Sequence, residues 1–319
     1  MEINDRNIKV WSTIGARATL GMAALQLAAE IDNLMVLTCD VSTSAGLDRY
    51  RKTYPEKYLD LGIAEQNMIG VAAGLASEGY NVITTTFSPF QTMRCCEQIK
   101  VNLGYMKQKI TMVGLASGLV LGPLGYTHCC IEDIGVLRSI PNLTIVSPAD
   151  GLELAKTIVA SLDHNQSTYI RLTGSSNAPI IYKKDYKFKI GKSVTLKKGK
   201  DVAIFANGSM VKTALEVEGQ LAKKKISAAV INVHTIKPID KTIIKKYINT
   251  KLFVTIEEHN IIGGLGSAIS EETAKLGNGP KHIFFGINDE YSHHGDYKHL
   301  LQSYGLTPEK IVNKIKKNL

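Results

Sequence analysis

Glu65 lies inside a run, residues 61–76, that carries no other charge. Gly62, Gly70 and Gly74 flank it, and small residues fill the pattern that follows, so a second backbone can approach closely. A lone carboxylate among Ile63, Ala64, Met68 and Ile69 costs free energy to bury unless it has a partner or a proton. Such a carboxylate is suited to acid–base chemistry; an exposed Glu in the first turn of a helix, favoured by the helix dipole, is the plainer alternative. His128, in Gly125-Tyr126-Thr127-His128, is a second group able to hold a proton or donate a hydrogen bond. Its neighbours Cys129 and Cys130 have no CxxC or HxxxH spacing to support zinc. Phe87, Phe90 and Met93 recur at a spacing of three, which usually marks the core face of a helix. Gly263-Gly264-Leu265-Gly266 stands where a phosphate loop can stand, but a lone glycine cluster reads better as a tight strand-to-helix turn.

The surrounding pattern alternates. Short apolar or β-branched runs at 35–39, 81–85, 109–113, 143–146 and 168–171 read as strands. Helical patterns at 17–29, 65–77, 89–103, 131–139 and 151–162 lie between them. Alternation of this kind predicts an α/β fold, a parallel sheet with helices on both faces. A polar stretch rich in lysine and tyrosine, 179–192, precedes a second alternating unit. Its strands are expected at 202–205, 228–233, 252–256 and 282–285, and its helices at 211–223, 241–248 and 267–276. Thr307-Pro308-Glu309 has the cap, proline and acid that open a last helix. The two domains are expected to span 1–185 and 186–319.

Composition narrows the class. The chain has 319 residues, 44% hydrophobic and 21% charged, as in an ordinary two-domain globular enzyme. The longest charge-free run, 110–131, is interrupted by four glycines, a proline and polar residues, so no bilayer-spanning segment is expected. The amino terminus has no apolar signal core, and five cysteines, two pairs of them adjacent, read as reduced thiols. A cytoplasmic protein is expected. The net charge of +9 comes from lysines scattered through the second half without interleaved aromatics, which argues for a solvated surface and against nucleic acid.

Five segments, in order, closely resemble the transketolase family of thiamine diphosphate enzymes. They are 60–76 (DLGIAEQNMIGVAAGLA), 84–98 (TTTFSPFQTMRCCEQ), 125–150 (GYTHCCIEDIGVLRSIPNLTIVSPAD), 234–240 (HTIKPID) and 257–268 (EEHNIIGGLGSA). The resemblance runs from about Arg17 to Leu319 and is to the carboxy-terminal half, as in the second subunit of split transketolases. It implies a parallel-sheet pyrimidine-binding domain followed by a smaller α/β transketolase carboxy-terminal domain. The family's GDG motif, which with a later Asn holds the metal and the diphosphate, is absent. The resemblance therefore implies a partner, an amino-terminal subunit carrying Mg²⁺ or Ca²⁺ and the diphosphate, in an α₂β₂ heterotetramer with no metal ligand on this chain.

Thiamine chemistry needs a carbanion at the thiazolium C2, formed when the cofactor's own amino group takes that carbon's proton. A buried carboxylic acid hydrogen-bonded to the pyrimidine N1′ promotes the required tautomer. Glu65 matches the family position for that role. By the same resemblance Phe87, Phe90 and Met93 (a Tyr in many transketolases) enclose the aminopyrimidine, Ile63 lies beside the cofactor, and Asp40 approaches the thiazolium from the partner's side. His128 matches the histidine that donates to the donor carbonyl as its oxygen gains charge.

Arg17 and Ser44 match residues that grip the sugar phosphate, for which an Arg fork is well shaped. Other members of that grip are replaced. The family's phosphate-binding Arg aligns with Gly174, its phosphate-binding His with Ala116, and the acid that reads a sugar hydroxyl with Leu124. The resemblance thus implies a transketolase moving a two-carbon unit from a ketose-type donor to an aldehyde acceptor, with non-standard sugar substrates. A β subunit of a 2-oxo acid dehydrogenase or decarboxylating synthase is the alternative in the same fold, and a non-catalytic assembly subunit the alternative of another class.

Overall fold

β-Branched runs build two sheets. The first contains β1 (Leu34–Thr38), β2 (Tyr58–Asp60), β3 (Asn81–Phe87), β4 (Thr111–Leu115), β5 (Leu143–Val146) and β6 (Ser167–Arg171). The second contains β7 (Val194–Lys197), β8 (Val202–Ala206), β9 (Ala228–Asn232), β11 (Leu252–Asn260) and β12 (Lys281–Ile287), while β10 (Thr235–Lys237) crosses back. The computed structural model describes residues 2–174, 178–291 and 293–319.

The first sheet has the order β10-β5-β6-β4-β3-β1-β2, parallel except for β10, which runs antiparallel to β5. The second has the order β12-β11-β8-β9-β7, with only β7 antiparallel. Residues of β4, β5, β6, β8 and β9 are buried throughout, because helices cover both faces. Two α/β domains with mostly parallel sheets are thus observed, and β10 stitches them by lending a strand of the second domain to the first sheet.

The helix expected over 17–29 is the latter part of a longer one, Asp5–Glu30, broken at Gly15 (φ 82°). The helix expected over 89–103 is not one helix. It divides into a short helix Ser88–Gln91, a turn Cys96–Gln98 and a wide π-helical turn Ile99–Tyr105. The backbone register slips there: the Arg94 amide donates to the Pro89 carbonyl at 3.2 Å and the Cys95 amide to the Thr92 carbonyl at 3.1 Å, while Cys95 Sγ takes the Phe90 carbonyl at 3.1 Å. The spacing of Phe87, Phe90 and Met93 is therefore not a helical core face. Phe87 ends β3, both rings are half-buried, and Met93 is exposed. Among the described residues no helix is long and apolar enough to cross a membrane.

Candidate active site

Ligand crevices in parallel sheets form outside the carboxyl ends of the strands, and the singled-out residues gather there. Asp40 follows β1, Glu65 follows β2, Phe87 ends β3, Ala116 follows β4 and Gly174 follows β6. Asp40 (φ 56°) and Ala116 (φ 55°) both hold left-handed backbone, which non-glycine residues adopt at some cost.

Glu65 opens the helix Glu65–Ser77 and is 4% exposed. Its Oε1 accepts a hydrogen bond from Arg94 Nη1 at 2.8 Å. The Arg94 guanidinium also lies 4.0 Å from the centre of the Phe90 ring. Phe90 meets Phe87 edge-on at 6.4 Å, and His128 stands 5.4 Å from Phe90 and 6.0 Å from Phe87. Glu65, Phe87, Phe90 and His128, spread over 64 residues of sequence, are thus linked through ring and ion-pair contacts at one mouth.

Arg94 was not anticipated from the sequence. It is the only basic residue in 81–98, and that was the available signal. Asp60 was also missed. Its Oδ1 accepts the amides of Asp40 (2.9 Å) and Gly62 (3.0 Å), and its Oδ2 accepts the hydroxyls of Thr38 (3.1 Å) and Tyr58 (3.2 Å). Partial burial raises the Asp60 pKa, but those four donors outweigh it and leave the carboxyl below its usual range. Asp60 thereby ties the end of β1 to the turn that presents Glu65. The thiols nearby stay protonated: burial, reinforced by Glu65, pushes Cys39 up to about 11 and Cys95 to about 12.

Ile63 is 78% and Leu124 56% exposed, while Asp40, Met93 and Arg17 are exposed and Ser44 half-buried. None of these makes a contact that assigns it a ligand within this chain. Arg17, Ala116 and Gly174, distant in sequence, share a cavity of about 160 Å³ with Gly15, Val120, Leu121 and Leu172. Among the described residues, Arg17 is the one charged residue in that lining. A larger groove of about 760 Å³, lined by Ile3, Lys156, Asp185 and Tyr186 among others, contains none of the site residues. The glycine turn at 263–266 has its own anion: the amides of Leu265 and Gly266 donate to the Glu257 carboxylate at 2.6 and 2.8 Å.

The chain matches the transketolase pyrimidine-binding domain over residues 12–178 and the transketolase C-terminal domain over residues 191–311. It belongs to the transketolase family. It is similar to a 6-deoxy-6-sulfo-D-fructose transketolase subunit of Clostridium sp. (strain MSTE9), 35% identical over 90% of this chain and 89% of that one. It is equally similar, at 35%, to one of the subunits of the apulose-4-phosphate transketolase of Phocaeicola vulgatus, over 93% of this chain and 95% of the relative. Among solved structures, a split-gene transketolase described as an inactive β4 tetramer superposes with a TM-score of 0.87 at 34% identity, covering 96% of this chain and 98% of that one. The chain is therefore a transferase component corresponding to the second subunit of split transketolases, which implies a separate first subunit. Its pyrimidine-binding domain implies thiamine diphosphate.

The site fits that cofactor's aminopyrimidine. A planar group is required that donates to Glu65 and lays a face against an aromatic ring. Arg94 pairs with Glu65 and lies over the Phe90 ring, so the acceptor and the aromatic face that such a group needs stand within reach of one planar side chain.

Proposed function

We propose that this chain is the second subunit of a thiamine diphosphate transketolase that moves a two-carbon ketol unit from a ketose-type donor to an aldehyde acceptor, with sugars outside the standard pentose phosphates. The observation that carries this reading is the buried Glu65 paired with the Arg94 guanidinium, which lies over the Phe90 ring, with His128 beside the same ring. When bound, the cofactor supplies a nucleophilic carbon and stores the electron pair released as the donor's carbon–carbon bond breaks. Glu65 holds a proton for the pyrimidine nitrogen, and Phe87 and Phe90 orient the ring and exclude water. His128 donates to the donor's carbonyl oxygen as charge develops on it. Arg17 and Ser44 grip the far end of the sugar, with Leu124 at the rim. Asp40, Ile63 and Met93 complete the cofactor's surroundings from the exposed side.

The partner brings the diphosphate and the Mg²⁺ or Ca²⁺, since this chain has no GDG motif. An α₂β₂ assembly is supported by the bare helix face of Gly70 and Gly74, where an added Cβ meets nothing within 4 Å, and by the outward-facing Ile63. A sugar bearing a different anion or fewer hydroxyls is supported by the small cavity around Arg17, which has no second cation among the described residues, and by relatives named for a sulfo-sugar and for apulose 4-phosphate.

The isolated chain is expected to bind thiamine diphosphate weakly and to have no turnover, both restored by the amino-terminal partner. Calorimetry showing magnesium-dependent, micromolar binding to the lone chain would overturn the shared-site reading. Arg94 must leave Glu65 when the cofactor enters, so Arg94→Ala is expected to tighten cofactor binding by about 2–5-fold in the assembled enzyme, the cost of breaking one partly exposed ion pair. A titration showing weaker binding instead would make Arg94 a holding residue.

A further inference from the structure

His128 projects from a loop, 118–130, closed at its neck by paired hydrogen bonds between Gly118 and Cys130 (2.7 and 3.1 Å). The second domain holds that loop along its length. Glu258, near the end of β11 and 1% exposed, accepts the Leu119 amide on Oε2 at 2.8 Å. Its Oε1 accepts Ser209 Oγ at 2.6 Å and Tyr297 OH at 2.5 Å, both also from the second domain. Three further bonds secure the far side of the neck: the Asn260 amide donates to the Ile131 carbonyl at 2.8 Å, and Arg171 Nη2, from β6 of the first sheet, donates to the carbonyls of both Glu258 (2.7 Å) and Cys130 (3.2 Å). Gly118 has to be glycine for this approach, since its φ is 76° and a Cβ would meet Glu258 Oε2 at 2.3 Å.

We propose that Glu258 is a positioning residue for His128, and that the second domain, which contributes none of the proposed cofactor contacts, serves the reaction by clamping the His128 loop. A buried carboxylate with three convergent donors fixes their relative positions far more tightly than exposed loop contacts do. The fixed object is the loop neck, and the His128 ring is set against Phe90 from that neck. A small displacement of a group that must meet developing charge lowers turnover without touching the cofactor's own contacts. The catalytic half of this inference rests on the two-carbon-transfer reading; the clamp itself does not.

Two measurements test it on the full chain. The first is hydrogen exchange on Glu258→Gln. A Gln cannot accept from all three donors, so amides in 118–131 are expected to exchange about tenfold faster or more, with the first sheet unchanged. Unchanged exchange in that loop, or equal acceleration throughout the chain, overturns the clamp. Tyr297→Phe, which removes one donor without adding a buried polar group, is expected to act in the same direction by a smaller factor and serves if the Gln variant does not fold. The second is a double-mutant cycle in the enzyme reconstituted with its amino-terminal partner. Glu258→Gln is expected to lower kcat about tenfold with His128 present and less than about twofold in a His128→Ala background, with cofactor affinity unchanged. Equal losses in both backgrounds would mean a general structural role and overturn the proposal. If the reconstituted wild type uses no two-carbon donor, the functional reading fails, and the exchange result still decides the clamp.

Discussion

Glu65→Gln is expected to lower turnover of the reconstituted two-subunit enzyme by at least about 100-fold, the usual effect of removing a general acid–base group. The substitution is nearly isosteric, so the 4%-exposed position stays filled and the helix Glu65–Ser77 keeps its start. The variant loses the charge paired with Arg94, but that arginine is 41% exposed and its ion pair contributes about 1 kcal/mol or less. Folding should therefore be nearly unaffected. What a Gln cannot do is exchange a proton with a pyrimidine nitrogen. Saturation with cofactor has to be verified in the same preparation, because weakened binding would imitate a catalytic loss. A near-normal rate with the cofactor bound would remove Glu65 from the proposed role.

The order of strands and helices was legible because parallel strands buried on both faces read as continuous apolar runs. Glu65 stood out by type as a lone carboxylate in an apolar run, whereas His128 was singled out through the family resemblance, since an isolated histidine is more often structural. The failures have one physical source, contacts that periodicity does not register. The 89–103 pattern looked like one helix because periodicity ignores slips in backbone register and a thiol that satisfies a carbonyl locally, as at Arg94 and Cys95. Arg94 was missed because its meaning lies in Glu65, 29 residues away, and in the face of Phe90. Glu258 appeared in the sequence only as one letter of EEHN; its work depends on the Leu119 amide, 139 residues earlier. The crossing strand β10 was unreadable for the same reason, since its partner β5 belongs to the other domain. Local chemistry was written locally, whereas clamps and long-range ion pairs exist only in the folded chain.

Xylulose 5-phosphate and ribose 5-phosphate are expected to be poor substrates of the reconstituted enzyme. Ala116 and Gly174 stand where the family resemblance implies a His and an Arg, and the structure brings both into the cavity that contains Arg17. One cation is left where several would share a dianionic phosphate. Each lost charge-assisted bond is commonly worth about 1.5–3 kcal/mol, so two of them lower the specificity constant by about 10²–10⁴-fold unless something replaces them. Leu124, 56% exposed, offers no acceptor for a sugar hydroxyl. The cavity volume of about 160 Å³, with Val120, Leu121 and Leu172 in its wall, instead favours a compact end group that a single arginine can satisfy. Arg17→Ala should therefore abolish discrimination between anionic and neutral donors rather than phosphate recognition alone. Steady-state kinetics with the two pentose phosphates decide the matter. A specificity constant of about 10⁴ M⁻¹s⁻¹ or above would mean that cations from the amino-terminal partner restore the grip, and the specialised-substrate reading would be abandoned while the two-carbon transfer itself stood.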